Sequence, residues 1–154
     1  MEKNLIIDRK RECGSCTMCC QWLTGEVYGH QFYAGHPCHF LSCDGCTIYK
    51  NRPEIPCKAY ECAWLSDKKI EFPEWFRPDQ SKIICSWKEW KSGFYYLDVD
   101  ECGEQINSRY LNWLINAHFK YKLNINLKIL GGITYFGEPE FLEFAKNNTC
   151  RINY

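Results

Sequence analysis

Twelve of the 154 residues are cysteines, and their spacing is where this chain could do chemistry. The densest run is Cys13-Gly14-Ser15-Cys16-Thr17-Met18-Cys19-Cys20. A Cys-x-x-Cys step lets two thiolates converge on one ion from a tight turn, and three cysteines at this step can wrap an ion or one face of an iron–sulfur cluster. Cys20 directly follows Cys19, and neighbouring side chains ordinarily diverge. The pair is therefore expected to bridge two centres or to give one ligand to each. Further along come Cys38, Cys46, Cys57 and Cys62. With Cys13, Cys16, Cys19 and Cys20 these make eight thiols, enough for two four-sulfur sites with no ligand left over. We therefore expect two zinc ions, with a single site and spare thiols as the alternative.

Zinc suits closed tetrahedral thiolate sites that do no redox work. Iron, or an iron–sulfur cluster, is the alternative cofactor. Bacterial ferredoxins share the Cys-x-x-Cys-x-x-Cys step, but their next cysteine follows after three residues and precedes a proline. Here it is immediate and Gln21 follows. Cys43 makes a second chelating step with Cys46, so it competes for a place among the ligands. Cys85, Cys102 and Cys150 read as small apolar side chains. His30, His36 and His39 lie close enough in sequence to replace a cysteine, although the supply of thiols makes that unnecessary. His118 reads as a surface or packed residue. Buried thiolates need donors around them. Arg9, Lys10, Arg11, Arg52 and Lys58 are the nearby candidates, with Arg52 expected to donate to a metal-bound sulfur. Trp22, Tyr28, Phe32, Tyr33, Phe40, Tyr49 and Tyr60 interleave the ligands and are expected to keep water from the sulfurs.

The Cys13–Cys20 octapeptide belongs to a longer pattern. It continues through Cys38 with Phe40-Leu41, Cys46-x-Ile48-Tyr49-x-x-Arg52-Pro53, Cys57, Cys62, Trp64-Leu65, Pro73 and Arg77-Pro78-Asp79-x-Ser81. In these features the chain resembles the CxxCxxCC, or YkgJ-like, cysteine-cluster family, described as zinc- or iron-chelating domains. The resemblance covers roughly residues 13–81, about half of the chain. It implies a metal-binding module and no particular reaction. Cys43, Cys85, Cys102 and Cys150 depart from the family pattern.

The elements that must hold these ligands are of two kinds. Residues 1–80 read as a cysteine-cluster module, broken into short pieces by Gly14, Gly25, Gly29, Gly35, Gly45, Pro37, Pro53 and Pro56. So irregular a segment buries little apolar surface by itself, and metal coordination can supply the missing folding energy. Residues 66–80 read as a connecting loop in which Trp75 and Phe76 pack. Residues 81–154 read as a small α+β half. Strands are predicted over 82–86 and 94–99, around a turn at Ser92-Gly93. Ile106, Tyr110, Trp113, Leu114 and Ala117 recur at helical spacing and predict a helix over 104–119. Strands over 125–129 and 133–136 are joined at Gly131-Gly132, and Pro139 opens a last helix through Lys146. The expected fold class is α+β: an irregular, metal-stabilised Cys-rich half packed on a ββαββα layer as one globular unit.

Bulk composition narrows the function. Lysine plus arginine equals aspartate plus glutamate at 19 each, which gives no general attraction to nucleic acid or acidic membranes. No apolar run reaches the roughly eighteen residues of a membrane span. The first residues lack the apolar stretch of a secretory signal, so a cytoplasmic, reducing location is expected, where clustered thiols are metal ligands more often than disulfides. Phosphate-loop, dinucleotide-binding and nucleophile-elbow patterns are absent. Asp98 and Asp100 read as strand-end charges. The leading function is zinc or iron chelation with a structural or metal-handling role, metal ions being the partners. The alternatives are a redox or enzymatic iron–sulfur protein and a zinc-ribbon-like interaction module.

Overall fold

Residues 83–101 supply the hydrophobic alternation that organises the molecule. The computed structural model describes residues 11, 13, 15–66, 69–129 and 132–149. Strands β5 (Ile83–Lys91) and β6 (Phe94–Glu101) form an antiparallel hairpin. Its turn contains Gly93 at φ +79°, a conformation that a residue without Cβ adopts at little cost. The expected strand over 82–86 is thus five residues short at its C-terminal end. The segment Trp87–Lys91 mixes polar and aromatic residues, so its strand character comes from pairing with 94–97 and not from its own pattern. Chain order in this half is completed by α4 (Ser108–Tyr121), β7 (Ile125–Ile129), β8 (Gly132–Phe136) and α5 (Pro139–Thr149). The sheet runs β5-β6-β7-β8, with β6 and β7 parallel across the α4 crossover and the other pairs antiparallel. The α+β class and the ββαββα order are as the sequence implies.

Further boundaries differ from expectation, with α4 running on to Tyr121 and α5 to Thr149. Helix α4 starts at Ser108, because Asn107 is its N-cap and takes the Arg109 amide at 2.9 Å. The residues before it are held off the helix, with the Ile106 amide bonded to the Glu101 carboxylate. Gly132 is a strand residue paired with Ile129, so it is no turn residue; Gly131 lies outside the described residues. Because side chains alternate across a strand, Ile83, Cys85, Leu97, Val99, Ile125 and Leu127 share one face. They bury against Leu114 and Ala117 of α4 and against Ala63, Trp64, Phe72 and Phe76.

Those last four come from the stretch before the sheet, which carries α2 (Ala63–Ser66), one 3-10 turn at Glu74–Phe76 and α3 (Pro78–Ser81). Phe76 is buried and Trp75 lies 5.5 Å from the Tyr110 ring, centroid to centroid, so both pack as expected. Arg11, an expected donor to the thiolates, has a side chain only 5% exposed that turns to backbone carbonyls. Its guanidinium donates to the Trp64 carbonyl at 2.6 Å and to the Phe72 carbonyl. Arg9 and Lys10 lie outside the described residues.

The cysteine-bearing segment is built of short pieces: α1 (Met18–Trp22), the hairpin β1 (Gly25–Val27) with β2 (His30–Phe32), and the hairpin β3 (Leu41–Ser42) with β4 (Gly45–Cys46). Between residues 13 and 62 the buried hydrophobic side chains are Met18, Val27 and Phe32, too few for a core of their own. The segment leans on the second face of the sheet instead. Met18 forms a cluster with Ile84 and Cys102, flanked by Cys16, Trp22, Leu23 and Cys62. The approach is close: a Cβ at Gly103 would meet the Trp22 ring at 2.7 Å.

Candidate metal centre

Each cysteine of the octapeptide is placed by local backbone geometry. The Cys16 amide donates to the Cys13 carbonyl at 2.9 Å, closing a turn. The chain then enters α1, where Cys19 and Cys20 occupy successive positions. Successive side chains leave a helix about 100° apart, yet the two thiols are hydrogen-bonded to each other. The expected divergence is therefore incomplete.

Backbone bonds lead from Cys20 to the downstream ligands. The Cys38 amide donates to the Cys20 carbonyl at 2.9 Å, and the Leu41 amide to the Cys38 carbonyl at 3.0 Å. Leu41 is in turn the partner of Cys46 across β3 and β4. Cys57 lies in the Glu54–Lys58 turn, whose Pro56 closes on Gly25 of β1. Cys62 takes another route: it precedes α2 and packs against both hydrophobic clusters, beside Cys16. Cys43 stands at the tip of the β3–β4 hairpin and is exposed, whereas the eight expected ligands are half-buried. All eight thiols are free. Cys85 and Cys102 are buried, in agreement with an apolar packing role; Cys150 lies outside the described residues.

The electrostatics follow from this crowding. Burial pushes the Cys13 thiol up, Cys16 and Cys20 add to it, and Arg52 and Arg77 oppose it. Burial raises Cys38, with Cys20 and Cys46 contributing, and raises Cys57, with Cys20, Cys38 and Cys46 contributing. Cys62 is pushed up to about 11 by burial, with Cys13 and Cys16 adding to the shift. Within the coupled pair, Cys19 donates and is raised; Cys20 accepts and is lowered to about 7, with Arg52 favouring its charged form. Crowded thiols resist ionising together unless a cation offsets the charge, and a divalent ion reverses that balance.

Arg52 lies over the Tyr49 ring, 3.8 Å from its centroid, and its Nε donates to the Tyr49 carbonyl at 2.9 Å. Its hydrogen bond thus goes to a carbonyl, while its charge acts on Cys13, Cys20 and Cys57. Arg77, quoted in the longer family-like pattern but not among the expected donors, donates to Ser15 Oγ at 2.9 Å. The histidines are arranged for stacking: His30 lies flat on His39 at 3.9 Å, and His36 on Tyr33 at 4.8 Å. Tyr28, Tyr33 and Tyr49 are at least half exposed, so only part of the expected aromatic shell excludes water. Exposed hairpin tips and turns carry these three rings, and such positions have nothing above them to bury against.

Soft, reduced sulfur donors beside two guanidinium groups fit zinc or iron. Convergence is a separate matter. Among the described residues no group of three or more histidine, cysteine, aspartate or glutamate side chains stands in a geometry that could hold a metal ion. The eight thiols are therefore neighbours without a common focus, and ligation requires them to turn inward. Among the described residues, no helix is long and apolar enough to cross a membrane. No family model, curated protein or solved structure matches the chain.

Proposed function

We propose that this protein chelates zinc through Cys13, Cys16, Cys19, Cys20, Cys38, Cys46, Cys57 and Cys62, in a structural or metal-handling role, as the resemblance to the CxxCxxCC cysteine-cluster family implies. One observation carries the reading. Eight free, half-buried thiols from five short pieces of chain act electrostatically on one another in a segment with only Met18, Val27 and Phe32 as buried hydrophobic side chains. Such a segment gains its order from cross-links, and free thiols offer coordination as the cross-link.

The test is anaerobic purification followed by elemental analysis and absorption spectroscopy. Stoichiometric zinc in a colourless protein is the expected result. A brown sample absorbing near about 400 nm identifies an iron–sulfur cluster instead. Protein that folds without metal, and gains no stability when zinc is added, overturns the chelation reading.

A further inference from the structure

We infer that the cavity between α4 and residues 71–74 binds a small zwitterion with an apolar side chain, of the class of a free aromatic or aliphatic amino acid. None of the cysteines lines this cavity, so the inference is independent of the chelation reading.

The cavity measures about 430 Å³, within the size range of small-molecule sites. One wall is a face of α4, which carries Trp113, Ala117 and Lys120; the other is the stretch holding Glu71, Phe72 and Glu74. The buried part of the lining is apolar. Phe72 is 0% and Ala117 4% exposed, and the Trp113 ring lies 4.9 Å from that of Phe72, centroid to centroid. Trp113 is only half-buried, and Tyr121 is exposed. Ring surface is thus left open, and an apolar side chain gains by covering it.

Charge selects the rest of the ligand. Arg11 and Lys120 balance Glu71 and Glu74 around the cavity, so a ligand with net charge of either sign meets repulsion as well as attraction. Arg11 is held in place: its terminal nitrogens donate to the Trp64 and Phe72 carbonyls, and its Nε lies 3.5 Å from Glu74 Oε1. Glu71 and Lys120 remain as one anion and one cation on the two walls, and neither forms an ion pair among the described residues. They line one space yet stand too far apart to bond directly. An amino acid carries both opposite charges on one carbon, so its ammonium can face Glu71 while its carboxylate faces Lys120. Asn116, one turn before Lys120 on the same face of α4, supplies an amide that can donate to that carboxylate. Arg11 Nε is buried and makes no hydrogen bond, so the lining holds a further unused donor. A plain anion such as phosphate would have to sit beside the two glutamates, and a plain amine beside Arg11 and Lys120.

The experiment is calorimetric titration of the full chain with L-phenylalanine, 3-phenylpropanoate and 2-phenylethylamine. The last two keep the ring and lack the ammonium or the carboxylate. L-Phenylalanine should bind saturably with a Kd below about 1 mM, and each truncated probe at least about tenfold more weakly. Glu71→Gln and Lys120→Gln, both at exposed positions, should keep the wild-type thermal transition and each weaken L-phenylalanine at least about fivefold. Absence of saturable binding up to about 10 mM, a truncated probe that binds as tightly as the amino acid, or wild-type affinity in either variant overturns the inference.

Discussion

Arg11 shows how one side chain can tie distant backbone together. Its guanidinium reaches the carbonyls of Trp64 and Phe72, its Nε lies 3.5 Å from Glu74 Oε1, and it faces the Trp64 ring at 4.7 Å. The planar fork serves two acceptors at once, which a single ammonium cannot match. Arg11→Gln is expected to cost about 2–4 kcal/mol in urea unfolding, the scale of two lost charge-assisted bonds and the carbonyls left unpaired. Arg11→Lys should recover less than half of that. Full recovery by lysine would mean that the positive charge, and not the fork, matters. Asp98 makes a similar point. Its carboxylate is 1% exposed and takes Lys88 at 2.7 Å, Lys128 at 2.9 Å and the Asn126 side-chain amide at 2.9 Å. It is a buried mid-strand anchor, not the strand-end charge that the residue pattern suggests. The pairing with Asn126 on β7 becomes visible only when the register is known.

At the scale of elements, termini and cross-strand contacts set local stability. Asn107 satisfies an otherwise orphaned amide at the start of α4. Asn107→Ala should destabilise the protein by about 1 kcal/mol, read as a shift in the denaturant midpoint with unchanged m-value. A change in m would indicate damage beyond the cap. The Lys128 ammonium connects β7 to β6 through Asp98 and Asp100. Burial alone would lower its pKa, but the hydrogen bonds with Asp100 and Asp98 outweigh burial and raise it. A lysine raised on folding contributes fully below its unfolded value, about 10.4, and that contribution is lost as pH rises through the folded value. Wild-type stability should therefore fall more steeply than that of Lys128→Met in urea titrations above roughly pH 10. Parallel curves for the two proteins would remove Lys128 from the alkaline transition.

The whole molecule divides its stabilising interactions between two systems. The sheet and α4 rest on a hydrophobic cluster to which residues 63–76 also contribute. The cysteine segment reaches that sheet through Met18, Trp22 and Cys62. If metal orders the segment, its removal should leave the sheet intact. Hydrogen exchange after chelation is expected to show lost protection over residues 25–57, with β5–β8 still protected. Uniform loss of protection would mean that one cooperative unit depends on the metal throughout.

How much was readable in advance differs between the two systems. The α+β class, the strand at Ile125–Ile129 and the helix around Trp113 and Leu114 are local properties: apolar residues recur at the period of the element that buries them, and Gly93 and Pro139 mark its ends. The eight candidate ligands can be named from the sequence, but within the set only Cys13, Cys16 and Cys19 are restricted by a Cys-x-x-Cys step, and in the fold the eight share no common focus among the described residues. The start of α4, the full length of β5, the burial of Arg11 and Asp98 and the nearness of Arg77 to Ser15 depend on partners up to 62 residues away. So does the grouping of Cys62 with Cys16 and of Cys38 with Cys20. Sequence determines which groups can ionise, bond or bury, since that is covalent chemistry and local geometry. Tertiary structure decides which of them meet, since burial and electrostatic energy depend on distance through space and not along the chain.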